Sequence, residues 1–148
     1  MMKKLITKPH LFFFGLIPVI FLLELINKNE IITTNVKTTY INIELKYLNY
    51  FFTILFTVIG LSYFFLYQKK KKIKKQLTFF HITLQTIAFL LFYTKNQWNW
   101  IGDNSLYSKF NIPIDNSNSV ILISILLFML ATFFYVLNFF LSLFSKSK

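Results

Sequence analysis

Between residues 68 and 76 the chain reads Gln-Lys-Lys-Lys-Lys-Ile-Lys-Lys-Gln, and on either side of this block lies a long apolar run that contains no Lys. One ammonium at the centre of a bilayer costs roughly 2.5–3.5 kcal/mol even on the mildest insertion scale. Lys69, Lys70, Lys71, Lys72, Lys74 and Lys75 together therefore cannot enter hydrocarbon, and the block has to be a loop in water. A Lys excess in a short loop marks the cytoplasmic side, so the same block sets an orientation for whatever flanks it.

Charged residues make up 14% of the chain, whereas a soluble domain usually carries about 25%. With a mean hydropathy of +0.56, this deficit points to a polytopic membrane protein. Helices satisfy their own backbone in lipid, so the expected fold is all-α, a four-transmembrane-helix bundle forming a single integral membrane domain. The spans fall at about residues 9–26, 47–67, 77–93 and 120–144. The fourth is longer than the hydrocarbon and is expected to tilt or protrude.

The charges test this arrangement. Lys3, Lys4 and Lys8, the central lysine loop, and Lys146 with Lys148 carry no acid beside them. On the other side Lys28, Lys37, Lys46, Lys95 and Lys109 are accompanied by Glu30, Glu44, Asp103 and Asp115. The expected orientation is N-in and C-in, in the cell (cytoplasmic) membrane. A net charge of +11 would suggest nucleic acid in a soluble protein. Here it reads as topology and as attraction to anionic lipid headgroups, with no nucleic acid as partner.

Local signals refine the picture. The basic start before the first apolar run is signal-like, but no small-residue cleavage site follows, so an uncleaved first span is expected. Thr7 can cap that span, Pro9 suits its first turn, and Pro18 predicts a kink. Gly15 would let a neighbouring helix approach. Residues 31–43 are rich in β-branched side chains and are expected to be extended, as a short strand open to pairing outside the membrane. Glu24, the acid within a span, is expected to pair with Lys28 one turn on. Trp98 and Trp100 suit a membrane–water interface.

Polar positions inside the spans are the place to look for chemistry. Thr78, His81, Gln85 and Ala88 share one face of the third span; Ser124, Ala131 and Asn138 follow heptad spacing in the fourth, with Ser142 a turn beyond. Thr53, Thr57, Gly60, Phe64 and Tyr67 form a stripe in the second. Such small or polar seams are the usual helix-packing pattern in lipid. His81 and Asn138 each lie about 9 Å in from the cytoplasmic boundary at the helical rise, and with Gln85 they could form one polar layer. Its ordinary role is an interhelical hydrogen bond worth roughly 0.6 kcal/mol; its functional alternative is a quinone, proton or cofactor contact. His10 sits shallower than His81, which does not suit a bis-His haem. The chain has no Cys and two His, and it contains no catalytic triad, paired carboxylates or phosphate-cradling glycine loop. Neither a metal site nor a resident cofactor is expected.

Asn35-Val36-Lys37-Thr38-Thr39-Tyr40-Ile41-Asn42-Ile43 resembles the haem–copper oxidase subunit I segment whose pattern is His-Asp-Thr-Tyr before a haem-bearing helix. Thr7-Lys8-Pro9-His10 and the first span look like the start of short membrane relatives of that subunit. The resemblance covers roughly residues 7–67, is specific only at Thr39-Tyr40, and concerns a family with about a dozen spans. The family's His and Asp fall on Lys37 and Thr38, and its two following ligand histidines on Leu45 and Tyr47. What the resemblance implies is thus a catalytically silent relative. The expected function is a non-catalytic accessory or scaffold protein, not an enzyme, with other membrane subunits as partners. The alternative is a small quinone- or cofactor-binding redox protein using His81, Gln85 and Asn138.

Overall fold

The computed structural model describes residues 6–27, 30–36, 39–95 and 116–145, with the backbone alone at 33–36, 39–41 and 116–118. The elements run α1 (Pro9–Ile26), β1 (Ile31–Val36), β2 (Thr39–Glu44), α2 (Leu45–Gln68), α3 (Lys75–Tyr93) and α4 (Asn116–Leu143). Among the described residues four helices are long and apolar enough to cross a membrane, the architecture of a multi-pass membrane protein. Their mean hydropathy runs from 1.3 in α3 to 2.8 in α4, so the helix with the buried His and Gln is also the least apolar.

On α3 and α4 many of the buried positions are small or polar. Thr78, His81, Gln85 and Ala88 of α3 are buried, as are Ser124, Ala131, Asn138 and Ser142 of α4. Large apolar side chains point outward instead, with Leu22 at 60%, Ile54 at 66% and Met129 at 64% exposure. Hydrocarbon is a good solvent for such groups and a poor one for amides and hydroxyls, so small and polar residues take interior positions here, while α1 and α2 bury Phe13, Ile20, Phe56 and Leu66.

The chain divides into two compact units, Met1–Phe79 with Val136–Lys148, and Phe80–Tyr135. In the first unit α1 packs on α2 through an aromatic seam. Phe13 stacks on Tyr63 with centroids 6.0 Å apart, and the ring of His10 lies 5.5 Å from Phe64 and 5.2 Å from Tyr67. The helices close over Gly60, where an added Cβ would sit 2.7 Å from the Phe14 ring. Gly15, expected to admit a neighbour, has nothing within 4 Å of such a Cβ among the described residues. The close approach falls at Gly60 and not at Gly15, which lies off the seam made by His10, Phe13 and Phe14.

The start of α1 differs from expectation, and the segment between α1 and α2 adds to it. The N-cap of α1 is Lys8, not Thr7, and it makes no side-chain capping bond; Pro9 follows in the first turn. α1 continues through Pro18. The extended backbone expected between residues 31 and 43 is present as two strands, β1 and β2, paired antiparallel with each other, with Ile31 opposite Glu44 and Val36 opposite Thr39. The Leu45 N–H donates to the Glu30 carbonyl at 3.0 Å, which carries the ladder one rung onto the first residue of α2. Two β-branched runs so close in sequence satisfy each other's backbone at little loop-closure cost. Lys28, Trp98 and Trp100, and with them the expected Glu24–Lys28 pair and aromatic anchors, lie outside the described residues.

In the second unit Phe80 stacks on Phe134 at 5.6 Å and His81 tilts against Tyr135 at 5.4 Å.

Candidate functional site

The lysine loop is held by a built structure. Just past the C-cap of α2, Lys69, comes Lys70 at φ 50°, a left-handed conformation that glycine usually supplies. The Lys70 N–H donates to the Tyr67 carbonyl and the Lys71 N–H to the Leu66 carbonyl, each at 3.0 Å. These are the paired bonds of a Schellman ending, and they fix where the chain leaves the helix. Past this turn the loop meets the C-terminal end of α4. The Lys71 ammonium donates to the Ser145 carbonyl at 2.8 Å, and the Lys72 N–H donates to Ser145 Oγ at 3.2 Å.

Asn138 is the centre of this arrangement. Its Nδ2 donates to Thr78 Oγ1 at 2.7 Å and to the Tyr63 hydroxyl at 3.4 Å. Its Oδ1 accepts from the Lys74 N–H at 3.2 Å and from Ser142 Oγ at 3.3 Å. Thr78 in turn donates to the Lys74 carbonyl at 3.1 Å. One buried amide therefore ties α2, the start of α3 and α4 to the loop. Both its nitrogen and its oxygen are occupied by other residues of the chain.

Between the loop and the residues preceding α1 opens a cleft of about 840 Å³. Lys70, Lys71, Lys72, Lys74 and Lys75 line it, with no carboxylate among the lining residues. Tyr67 and Ile73 add apolar surface, and Ile6 and Thr7 close the side nearest the N-terminus. Lys69 is not in the wall; its ammonium lies 5.8 Å from the Phe65 ring centroid. Lys8 similarly lies over Tyr67 at 5.4 Å. Two crossings separate residues 6–7 from the loop and two more separate the loop from Ser145, so all three should share one side of the membrane. Their meeting in one unit agrees with that parity.

Of the three residues expected to form a polar layer, Asn138 belongs to the unit with the lysine loop, and His81 and Gln85 belong to the other. The hydrogen bonds described for Asn138 end on Tyr63, Thr78, Lys74 and Ser142. Gln85 is fully buried, and neither Oε1 nor Nε2 has a hydrogen-bond partner among the described residues. His81 is equally buried and packs on Tyr135. Nδ1 of His10, at the α1–α2 seam, has no hydrogen-bond partner among the described residues. Among the described residues no three His, Cys, Asp or Glu side chains gather where they could hold a metal.

Sequence reading missed Tyr63 and Ser145. Tyr63 is seven residues from Phe56 and four from Ile59, both buried, and that spacing was the available signal. The stripe drawn instead through Thr53 and Thr57 overvalued hydroxyls, since Thr57 Oγ1 donates back to its own helix at the Thr53 carbonyl at 2.7 Å. No protein-family model, curated protein or solved structure matches the chain.

Proposed function

We propose that this multi-pass membrane protein is a non-catalytic accessory or scaffold component, set N-in and C-in in the cytoplasmic membrane among other membrane subunits. The observation that carries the reading is the use to which Asn138 is put. The richest polar cluster described is closed on itself, with amide nitrogen and oxygen both engaged in holding the lysine loop. Such an arrangement shapes a surface. The Lys distribution supports the orientation, and anionic lipid is the partner its charge favours. A link to a respiratory complex rests on the Thr39-Tyr40 resemblance alone.

A second reading has one observation in its favour. The buried amide of Gln85, without a hydrogen-bond partner among the described residues and on the same helix as His81, suits a small quinone- or cofactor-binding redox protein. Asn138 takes no part in this version, because its polar atoms are committed. Mild-detergent purification separates the two readings. Co-purifying membrane subunits, with no Soret band and no extractable quinone, are the result expected for a scaffold; stoichiometric quinone or haem would overturn it. Orientation is tested by thiol labelling. Ser105→Cys should react with an impermeant reagent from outside and Ser147→Cys should not, and the reverse pattern would overturn the assignment.

A further inference from the structure

We infer that the lysine-lined cleft is a binding site for a phosphate-bearing anion of the size of a phospholipid headgroup. The inference builds on the proposal that the loop faces anionic lipid, and it replaces diffuse attraction by a defined site. A polybasic segment attracts anionic lipid without any pocket, and each Lys then counts about equally. Three observations set this loop apart.

The first is preorganisation. The backbone is pinned by the Schellman bonds at Lys70 and Lys71, by Ser145 at Lys72 and by Asn138 at Lys74. A ligand therefore does not have to order the loop when it binds. The second is the character of the wall. Lys70, Lys72, Lys74 and Lys75 are exposed on a cleft without a lining carboxylate, and α3 begins at Lys75, adding the partial positive charge of a helix N-terminus. The third is the apolar contribution of Tyr67, Ile73 and Ile6. Free phosphate has no use for that surface, whereas the glycerol and first acyl carbons of a lipid do. The volume of about 840 Å³ lies within the range usual for small-molecule sites.

The test is native mass spectrometry on the full-length protein in detergent, titrated with short-chain phosphatidic acid and, separately, phosphatidylcholine. Retention of phosphatidic acid over phosphatidylcholine is expected. Lys75→Gln should weaken it by about tenfold, the usual range for losing a charge-assisted hydrogen bond. Lys69→Gln removes the same charge from the same loop outside the cleft, and it should weaken retention by no more than about twofold if the site is local. Lys70→Gly removes a wall cation while relieving the left-handed backbone, so its loss of binding is not a loss of folding. Ile6→Trp fills the cleft without touching charge and should also reduce retention. Equal losses for Lys69→Gln and Lys75→Gln, or no preference for phosphatidic acid, would overturn the site.

Added inorganic phosphate distinguishes the source of the anion. Displacement of lipid at millimolar phosphate identifies the phosphate group alone as sufficient; resistance identifies the whole headgroup. Because binding is read in detergent, a reversed thiol-labelling pattern would overturn the orientation and leave this result intact.

Discussion

Asn138 in α4 and Gln85 in α3 carry the same carboxamide, and both are fully removed from solvent. Asn138 donates to Thr78 and Tyr63 and accepts from Lys74 and Ser142, whereas Gln85 has no hydrogen-bond partner among the described residues. In lipid the seam of small and polar residues is what lets helices meet. Seams of this kind therefore accommodate both an amide that organises its surroundings, Asn138, and one without a hydrogen-bond partner among the described residues, Gln85. Burial alone does not separate them; the partners do. The first amide should be costly to remove, and the second should be a net expense to keep, since an unpaired buried amide forfeits its hydration without replacement.

The largest expected effect follows directly. Asn138→Leu removes the acceptor of the Lys74 N–H and the donor to Thr78 Oγ1 and the Tyr63 hydroxyl, and should destabilise by about 2 kcal/mol. Thermal unfolding in detergent measures this, and an unchanged transition would erase the contrast. Gly60→Ala comes next. It places a methyl against the Phe14 ring, and should cost about 1–2 kcal/mol by the same assay unless the ring swings clear. Gly15→Ala, with open space around it, should be neutral or slightly stabilising. The pair shows how much of the first unit's stability comes from the aromatic seam and not from the amide.

Gln85→Leu has the opposite expected sign. Replacing the amide by an apolar side chain of similar volume should raise stability by about 1 kcal/mol. A loss of similar size would show that Gln85 has a partner and would strengthen the redox reading. The smallest effect is expected at Ser145, which is only half-buried and accepts from Lys72 where water can substitute. Ser145→Ala should cost about 0.5 kcal/mol, and its small size beside Asn138→Leu would place the loop's anchorage at the buried amide.

The helices were legible because hydropathy over some twenty residues integrates a large signal. The buried faces of α3 and α4 were legible too, since Thr78, Gln85, Ser124 and Asn138 stand out against Phe, Leu and Ile. On α2 the same reasoning pointed at Thr53 and Thr57, whose hydroxyls can bond within their own helix, and passed over Tyr63. A tyrosine in an apolar run has the composition of an interface residue, and only its partner across the unit reveals it as interior. The hairpin escaped for a related reason. β-branched residues mark extended backbone, but the choice between an internal and an external partner depends on register, which no single residue between Ile31 and Glu44 declares. The cleft was least legible of all. Six lysines in a row of nine residues announce a loop in water, yet the division between Lys75 in the wall and Lys69 outside it arises only once Lys70 turns the backbone left-handed.

Apart from the local Schellman bonds, the bonds in and around the loop join residues 60 to 75 positions apart, each with its far end in α4 or just beyond it. α4 is also the last of the four helices to be synthesised. While α1, α2 and α3 are being threaded into the bilayer, Lys71, Lys72 and Lys74 have no Ser145 or Asn138 to meet. Contacts of such long sequence separation form late, after local helices are in place. Before α4 is made the loop therefore has only its local Schellman turn, and the anchors at Lys72 and Lys74 form once α4 is present. A nascent chain stalled before Asn138 would therefore lack the anchors at Lys72 and Lys74.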